Sequence, residues 1–121
     1  MVGTAVYPAL GSKLPAACSH AIVTGLLRDE LGFEGVILSD DLNTAGVRPT
    51  VPFPEAAVRA VKAGIDVIYV SGVDRSGTDP VGRKAYAALL EAARQGVVSQ
   101  AQLQASYDRV LELKREYAAA S

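Results

Sequence analysis

Two eight-residue blocks constrain this chain most: "GFEGVILS" (Gly32–Ser39) and "GIDVIYVS" (Gly64–Ser71) match at an offset of 32 residues. Each begins with glycine, an apolar residue and an acid, and ends in apolar residues and a serine. Val, Ile and Leu in near-continuous succession, without polar alternation, form the pattern of a parallel strand covered on both faces. A strand repeated at this spacing, with a helical stretch between the copies, is a βα unit. Strands joined through helices must run parallel, with right-handed crossovers.

The remaining segments fit that frame. "MVGTAVYP" reads as a short first strand ended by Pro8, and "ALGSKLPAACS" as a loop. Ser19 is placed to cap a helix over "HAIVTGLLRDEL", with Ile22, Leu26, Leu27 and Leu31 at helical spacing and Gly32 past its end. "GVILSDD" follows as a strand and "LNTAGVRPTVPFP" as a loop. Pro54 starts the helix "PEAAVRAVKAG", whose inner face is assigned to Val58 and Val61 and whose stop is Gly64. After the strand "IDVIYVSG", Asp79 and Pro80 are the expected N-cap and first residue of a helix that Gly96 ends. Ser99 and Gln102 form a capping-box pair for a final helix, with Leu103, Tyr107, Val110, Leu111 and Lys114 on one stripe.

Composition narrows the function classes. Twelve basic and thirteen acidic residues leave a net charge of -1, so there is no positive field to hold nucleic acid or an anionic membrane surface. No apolar stretch approaches the roughly 20 residues that span a bilayer, and the chain is expected to be soluble. The compartment, cytoplasmic or exported, is left open. The single cysteine, Cys18, cannot form an internal disulfide and reads as a small residue near a helix start. No His, Cys or carboxylate cluster has metal-ligand spacing, and no cofactor is expected.

The candidate chemistry lies in "GFEGVILSDDL", where an apolar strand ends in Asp40 and Asp41. In parallel α/β folds the active site lies beyond the carboxyl ends of the strands. A carboxylate emerging there is mounted rigidly and presented to the cleft. Asp after a strand is also a common loop starter or N-cap, so spacing alone leaves both readings open. Adjacent residues leaving a strand point to opposite sides, so the two do not form an acid and base couple. One should face the cleft and the other bind backbone or a neighbouring cation.

The stretch "LPAACSHAIVTGLLRDELGFEGVILSDDL" resembles the late barrel segment of glycoside hydrolase family 3, the bacterial β-N-acetylhexosaminidase branch in particular. The similarity continues through "AAVRAVKAGIDVIYVSG" and "GVVSQAQLQASYDRVLELK", nearly the whole chain. It implies a carbohydrate substrate and a retaining mechanism. The Asp directly after the motif's Ser, here Asp40, is the implied nucleophile, with hydrogen bonds from Ser39 or nearby backbone N–H groups. Ser39, Asp41 and Leu42 are the accompanying candidates for substrate binding. In that branch the general acid/base is a His and Asp pair inside a motif like "KHFPGHG", which precedes the segment seen here and has no counterpart in this chain. The one histidine, His20, falls at a helix start and reads as a surface residue. Thr4 stands where many members have His, and Asn43 and Thr44 follow "SDDL", so sugar contacts at those positions are not carried over.

A (β/α)₈ barrel takes about 250 residues. The expectation is therefore a single unit, residues 1–121, forming the last three or so βα units of such a barrel and closing with a C-terminal helix. Such a piece exposes a sheet edge and an apolar strand face, to be covered by the rest of the barrel or a second copy. Two other readings stay open at this point: a non-catalytic assembly module derived from a hydrolase, and a phospho-accepting receiver-like domain. The receiver reading needs an acidic pair after the first strand, and "MVGTAVYP" has none.

Overall fold

The computed structural model describes residues 1–72 and 80–119. Two short 3₁₀ turns (Pro8–Leu10 and Ala16–Cys18) lead into a helical segment, Ala21–Glu30. Then come β1 (Leu38–Asp41), α1 (Glu55–Ala63), β2 (Val67–Tyr69), α2 (Pro80–Arg94) and α3 (Gln100–Ala119). β1 and β2 pair in parallel with α1 connecting them, as the repeat requires.

The expected first strand is reduced to one bridge. Val2 lies parallel to Ser39, its N–H donating to the Leu38 carbonyl (2.8 Å) while its own carbonyl accepts from Asp40 (2.9 Å). Beyond it the backbone turns to other partners. The Gly3 and Ala5 carbonyls accept from Ala17 and Ala16, and Val6 bridges antiparallel to Pro15. The segment thus spends its hydrogen bonds on the loop before the helix and not on the sheet.

Ser19 begins the helical segment through its backbone carbonyl, which accepts from Ile22 and Val23. The segment is wound as a π-helix, closing with an i to i+5 bond from the Leu31 N–H to the Leu26 carbonyl (3.0 Å). Ile22 and Val23 are buried and Leu27 packs on the core. Leu31, assigned to the same face, is 68% exposed, because it sits in the closing turn where Gly32 (φ 67°) bends the chain away.

The core lies on one side of the sheet, between it and the helices. Ile37, Leu42, Val47, Val51 and Ile65 pack there against Val23 and the alanines of α1. α1 buries Ala56, Ala57, Ala60, Val61 and Ala63, while Val58 is half-buried, so its inner face is made chiefly of alanine. Small side chains let the π-helical segment come close. Thr24 Oγ1 donates to the Ala63 carbonyl (2.8 Å), and a Cβ on Gly64 (φ 110°) would stand 2.6 Å from that hydroxyl, so the expected helix stop is also a packing requirement.

The strands differ from expectation in being covered on one face only. In β1 Ser39, with Ile37 just before it, is buried, and in β2 Ile68 is half-buried and packs on the core, whereas Leu38, Val67 and Tyr69 are 36%, 37% and 52% exposed. Three apolar side chains therefore line an open sheet face.

α3 is capped as expected at Ser99, whose Oγ accepts from the Gln102 N–H (3.1 Å). The Gln102 side chain does not complete the box. It donates instead to the Val61 carbonyl at the end of α1 (2.5 Å). The expected apolar stripe is docked only in part: Val110 and Leu111 are half-buried, as are Gln102, Ala105, Ser106 and Arg109 beside them, whereas Leu103, Tyr107 and Lys114 are exposed. Ser106 and Arg109 meet Asp66, whose carboxylate has no exposed surface. Its Oδ1 accepts from Ser106 Oγ (2.7 Å) and from Arg109 Nε and Nη2 (3.0 and 2.7 Å). Its Oδ2 accepts from Arg28 Nη2 (2.6 Å) and the Ile37 N–H (2.8 Å). The α2 start expected at Asp79 lies outside the described residues; Pro80 opens that helix and Gly96 (φ 70°) follows its end. Among the described residues no helix is long and apolar enough to cross a membrane.

Candidate active site

The two strands fall out of step where β1 ends. Leu38 pairs with Val67 and Asp41 with Tyr69, three steps along β1 against two along β2. An extra residue in one strand bends it and turns a side chain aside, a device common beside active sites. Asp40 occupies this irregularity. Its backbone N–H is held by Val2, and its Oδ1 accepts from the Asp41 N–H (2.7 Å), leaving a half-buried carboxylate at the sheet's rim. Of the two donor sources expected for Asp40, the structure uses backbone.

Ser39 and Leu42, expected at the substrate, sit behind the rim. Both are wholly buried. Ser39 Oγ accepts from the Tyr69 N–H (3.0 Å), filling the ladder position that the irregularity leaves open, and the Leu42 N–H donates to the Tyr69 carbonyl (3.1 Å). With no exposed surface of their own, they support the backbone that carries Asp40.

Asp41 turns the other way and binds across to β2. Its Oδ1 accepts from the N–H groups of Asn43 (2.9 Å) and Ser71 (3.0 Å), and its Oδ2 accepts from the Ser71 hydroxyl. Partial burial disfavours its charge. The hydrogen bonds from the Ser71 side chain and from the Asn43 and Ser71 backbones, with the positive charge of Arg48, outweigh that and lower its pKa. Asn43 Nδ2 donates to the Ser71 carbonyl (2.9 Å). The Thr44 carbonyl accepts from Val47 and Arg48, and its buried Oγ1 has no hydrogen-bond partner among the described residues.

The sequence reading did not single out Ser71 as part of the site. Its signal was its place as the second block's terminal serine. The irregularity makes the two serines inequivalent: Ser39 closes the ladder, and Ser71 reaches Asp41.

His20 is exposed at the helix start, as expected. It lines a cavity of about 480 Å³ with Cys18, Glu55 and Arg59, on the helical side of the molecule and apart from Asp40. Burial pushes the Cys18 thiol up to about 11 against the smaller opposing effect of Arg59, so the sulfur stays protonated near neutral pH. Among the described residues no group of three His, Cys, Asp or Glu could hold a metal ion. What the site offers is one carboxylate at a strand end, held by backbone donors, beside a second that is engaged with the protein.

Residues 1–113 match the sequence profile of the Glycosyl hydrolase family 3 N terminal domain. An "Uncharacterized secreted glycosyl hydrolase" of Arthroderma benhamiae is 31% identical over 119 residues, covering 98% of this chain and 33% of that protein. A "Beta-hexosaminidase" of Thioalkalivibrio sulfidiphilus is 51% identical over 57 residues, covering 47% of this chain and 16% of that one. Among solved structures, a glycoside hydrolase family 3 β-N-acetylglucosaminidase from Paenibacillus sp. str. FPU-7 superimposes with a TM-score of 0.87 at 36% identity, covering 99% of this chain and 22% of that one. The chain thus spans a third or less of the length of these relatives. With nearly its whole length inside one family's domain, the chain belongs to glycosyl hydrolase family 3 and is similar to that family's β-N-acetylhexosaminidase branch.

Proposed function

We propose that this chain is the nucleophile-bearing, C-terminal portion of the barrel of a retaining β-N-acetylhexosaminidase. The observation that carries the reading is Asp40, set in the irregularity at the end of a parallel strand within "SDDL" and aimed by backbone hydrogen bonds. The open sheet face of Leu38, Val67 and Tyr69 supports it, because the inward face of a barrel sheet is apolar and needs the other strands to cover it. The chain's share of its relatives' length supports it too.

In this reading an Asp40 oxygen attacks the anomeric carbon of a β-linked N-acetylglucosamine-type sugar. The bond to the leaving oxygen breaks as that oxygen takes a proton from a general acid on the remaining strands. A glycosyl ester of Asp40 results, and water, deprotonated by the same group, then attacks the anomeric carbon and frees the carboxylate. Two inversions give retention. The chain alone supplies the nucleophile and its mount, so hydrolysis requires the rest of the barrel.

The test is stereochemical. The complete barrel carrying this segment, given p-nitrophenyl N-acetyl-β-glucosaminide and followed by proton NMR, should release the β-anomer before mutarotation. The α-anomer as first product would mean direct displacement by water and would exclude a covalent role for Asp40.

A further inference from the structure

Asp41 stands next to the reacting carboxylate, yet its oxygens accept three hydrogen bonds from the protein itself. The Ser71 N–H and hydroxyl both close on it, and Asn43 Nδ2 returns from the β1 side to the Ser71 carbonyl (2.9 Å). These contacts join two strand ends thirty residues apart in sequence, just past the point where their ladder goes out of register. The Asp41 N–H is the donor to Asp40 Oδ1 (2.7 Å). Fixing the Asp41 side chain fixes its peptide plane, and the peptide plane fixes the donor that aims Asp40.

We propose that Asp41 is a positioning residue: with Ser71 and Asn43 it forms a clasp across the ends of β1 and β2 that holds Asp40 in its working geometry. This rests on the reading of Asp40 as nucleophile. It replaces a substrate-binding role for Asp41, since a carboxylate gripping a sugar needs its lone pairs turned to the cleft, and three of its roughly four lone-pair sites are taken up by Ser71 and Asn43. The ladder ends at Tyr69, whose carbonyl accepts from the Leu42 N–H (3.1 Å). Ser39 already spends its hydroxyl on Tyr69 to bridge the irregularity, so beyond Tyr69 the described hydrogen bonds joining the rims of the two strands run through Asp41 and Asn43.

The experiment uses the complete barrel with Asp41→Ala, Ser71→Ala, Ser71→Thr and the Asp41→Ala/Ser71→Ala double variant, assayed on the nitrophenyl substrate. A misplacement of about 1 Å costs roughly 100-fold, so each alanine variant should lose roughly 10- to 100-fold in kcat, with KM within about threefold of wild type. The double variant should lose no more than the worse single variant, because one clasp is being opened twice. Ser71→Thr, which keeps the hydroxyl, should recover most of the rate. Ser71 is exposed, so its variants report even where Asp41→Ala fails to fold. A raised KM at unchanged kcat in Asp41→Ala, wild-type kcat in Ser71→Ala, or losses that multiply in the double variant would each overturn the clasp. A parallel arm maps the ester formed with a fluorinated substrate. The ester on Asp40 with any of those three kinetic results overturns the clasp alone, and the ester on another residue overturns the nucleophile reading and the clasp with it.

Discussion

Replacing Asp40 by Gly in the complete barrel is expected to lower kcat by on the order of 10⁴- to 10⁶-fold, the range seen when a nucleophile is removed and binding is left intact. Asp41, the neighbouring carboxylate, cannot stand in, because Ser71 and Asn43 hold its oxygens toward β2. The variant leaves a small gap where the carboxylate was. Azide should enter that gap and restore turnover, attacking from the side Asp40 had occupied and giving the α-glycosyl azide. Activity within tenfold of wild type, or a β-azide, would point to a nucleophile other than Asp40, such as the substrate's own acetamido oxygen.

Asp66→Ala is expected to cost about 3–5 kcal/mol, the usual penalty for removing one partner of a buried ion pair. Two arginines converge on that carboxylate, and neither can be well solvated in place once it is gone: Arg28 and Arg109 side chains are only 16% and 28% exposed. The same substitution frees the Ile37 N–H at the entry to β1 and the Ser106 hydroxyl on α3. α3 buries no residue fully, so its attachment leans on this carboxylate and on Gln102. Amide exchange in α3 should accelerate before that in α1, and the denaturant midpoint should fall with it.

The pH dependence has a definite sign. Burial of Asp66 disfavours its charge, but hydrogen bonds from Arg109, the Ile37 N–H and Ser106, together with the charge of Arg109, prevail and lower its pKa. A depressed carboxylate contributes stability above its unfolded pKa, and that stability is lost as pH falls through the folded value. α3 should therefore remain docked through the mildly acidic range and loosen only at pH below the ordinary carboxylate pKa. In Asp66→Ala that acid transition should be smaller.

The parallel βα order was legible because it rests on local pattern: one block repeated at 32 residues, with Gly64 and Gly96 marking helix stops. Burial was less so, since it depends on what lies across the chain. The two blocks carry an acid at the same place, yet Glu34 is exposed and Asp66 is sealed between two arginines from distant segments. The stripe from Leu103 to Lys114 has the right spacing for a buried face, but Asp66 draws the neighbouring polar side of α3 inward, so that Val110 and Leu111 are half-buried and Leu103 and Tyr107 are left exposed. Spacing shows which residues share a face and is silent on which face is docked.

At the site, the sequence marks Asp40 as a carboxylate at the end of an apolar strand, and its role comes only from the family resemblance. The irregularity is not marked there. It arises from pairing between β1 and β2, and it turns Ser39 into a ladder substitute and Ser71 into a partner of Asp41. Nothing in the order of residues distinguishes the two serines until the register between their strands is known.

The most direct measurement is to trap the covalent species. The complete barrel is inactivated with a fluorinated N-acetylglucosaminyl fluoride, whose ester hydrolyses slowly, then digested, and the sugar-bearing peptide is sequenced by mass spectrometry. The account predicts one glycosyl group on Asp40, within "GVILSDDL", and no label in Asp40→Gly. A label on any other residue, or a trapped oxazoline in place of an enzyme ester, would contradict it.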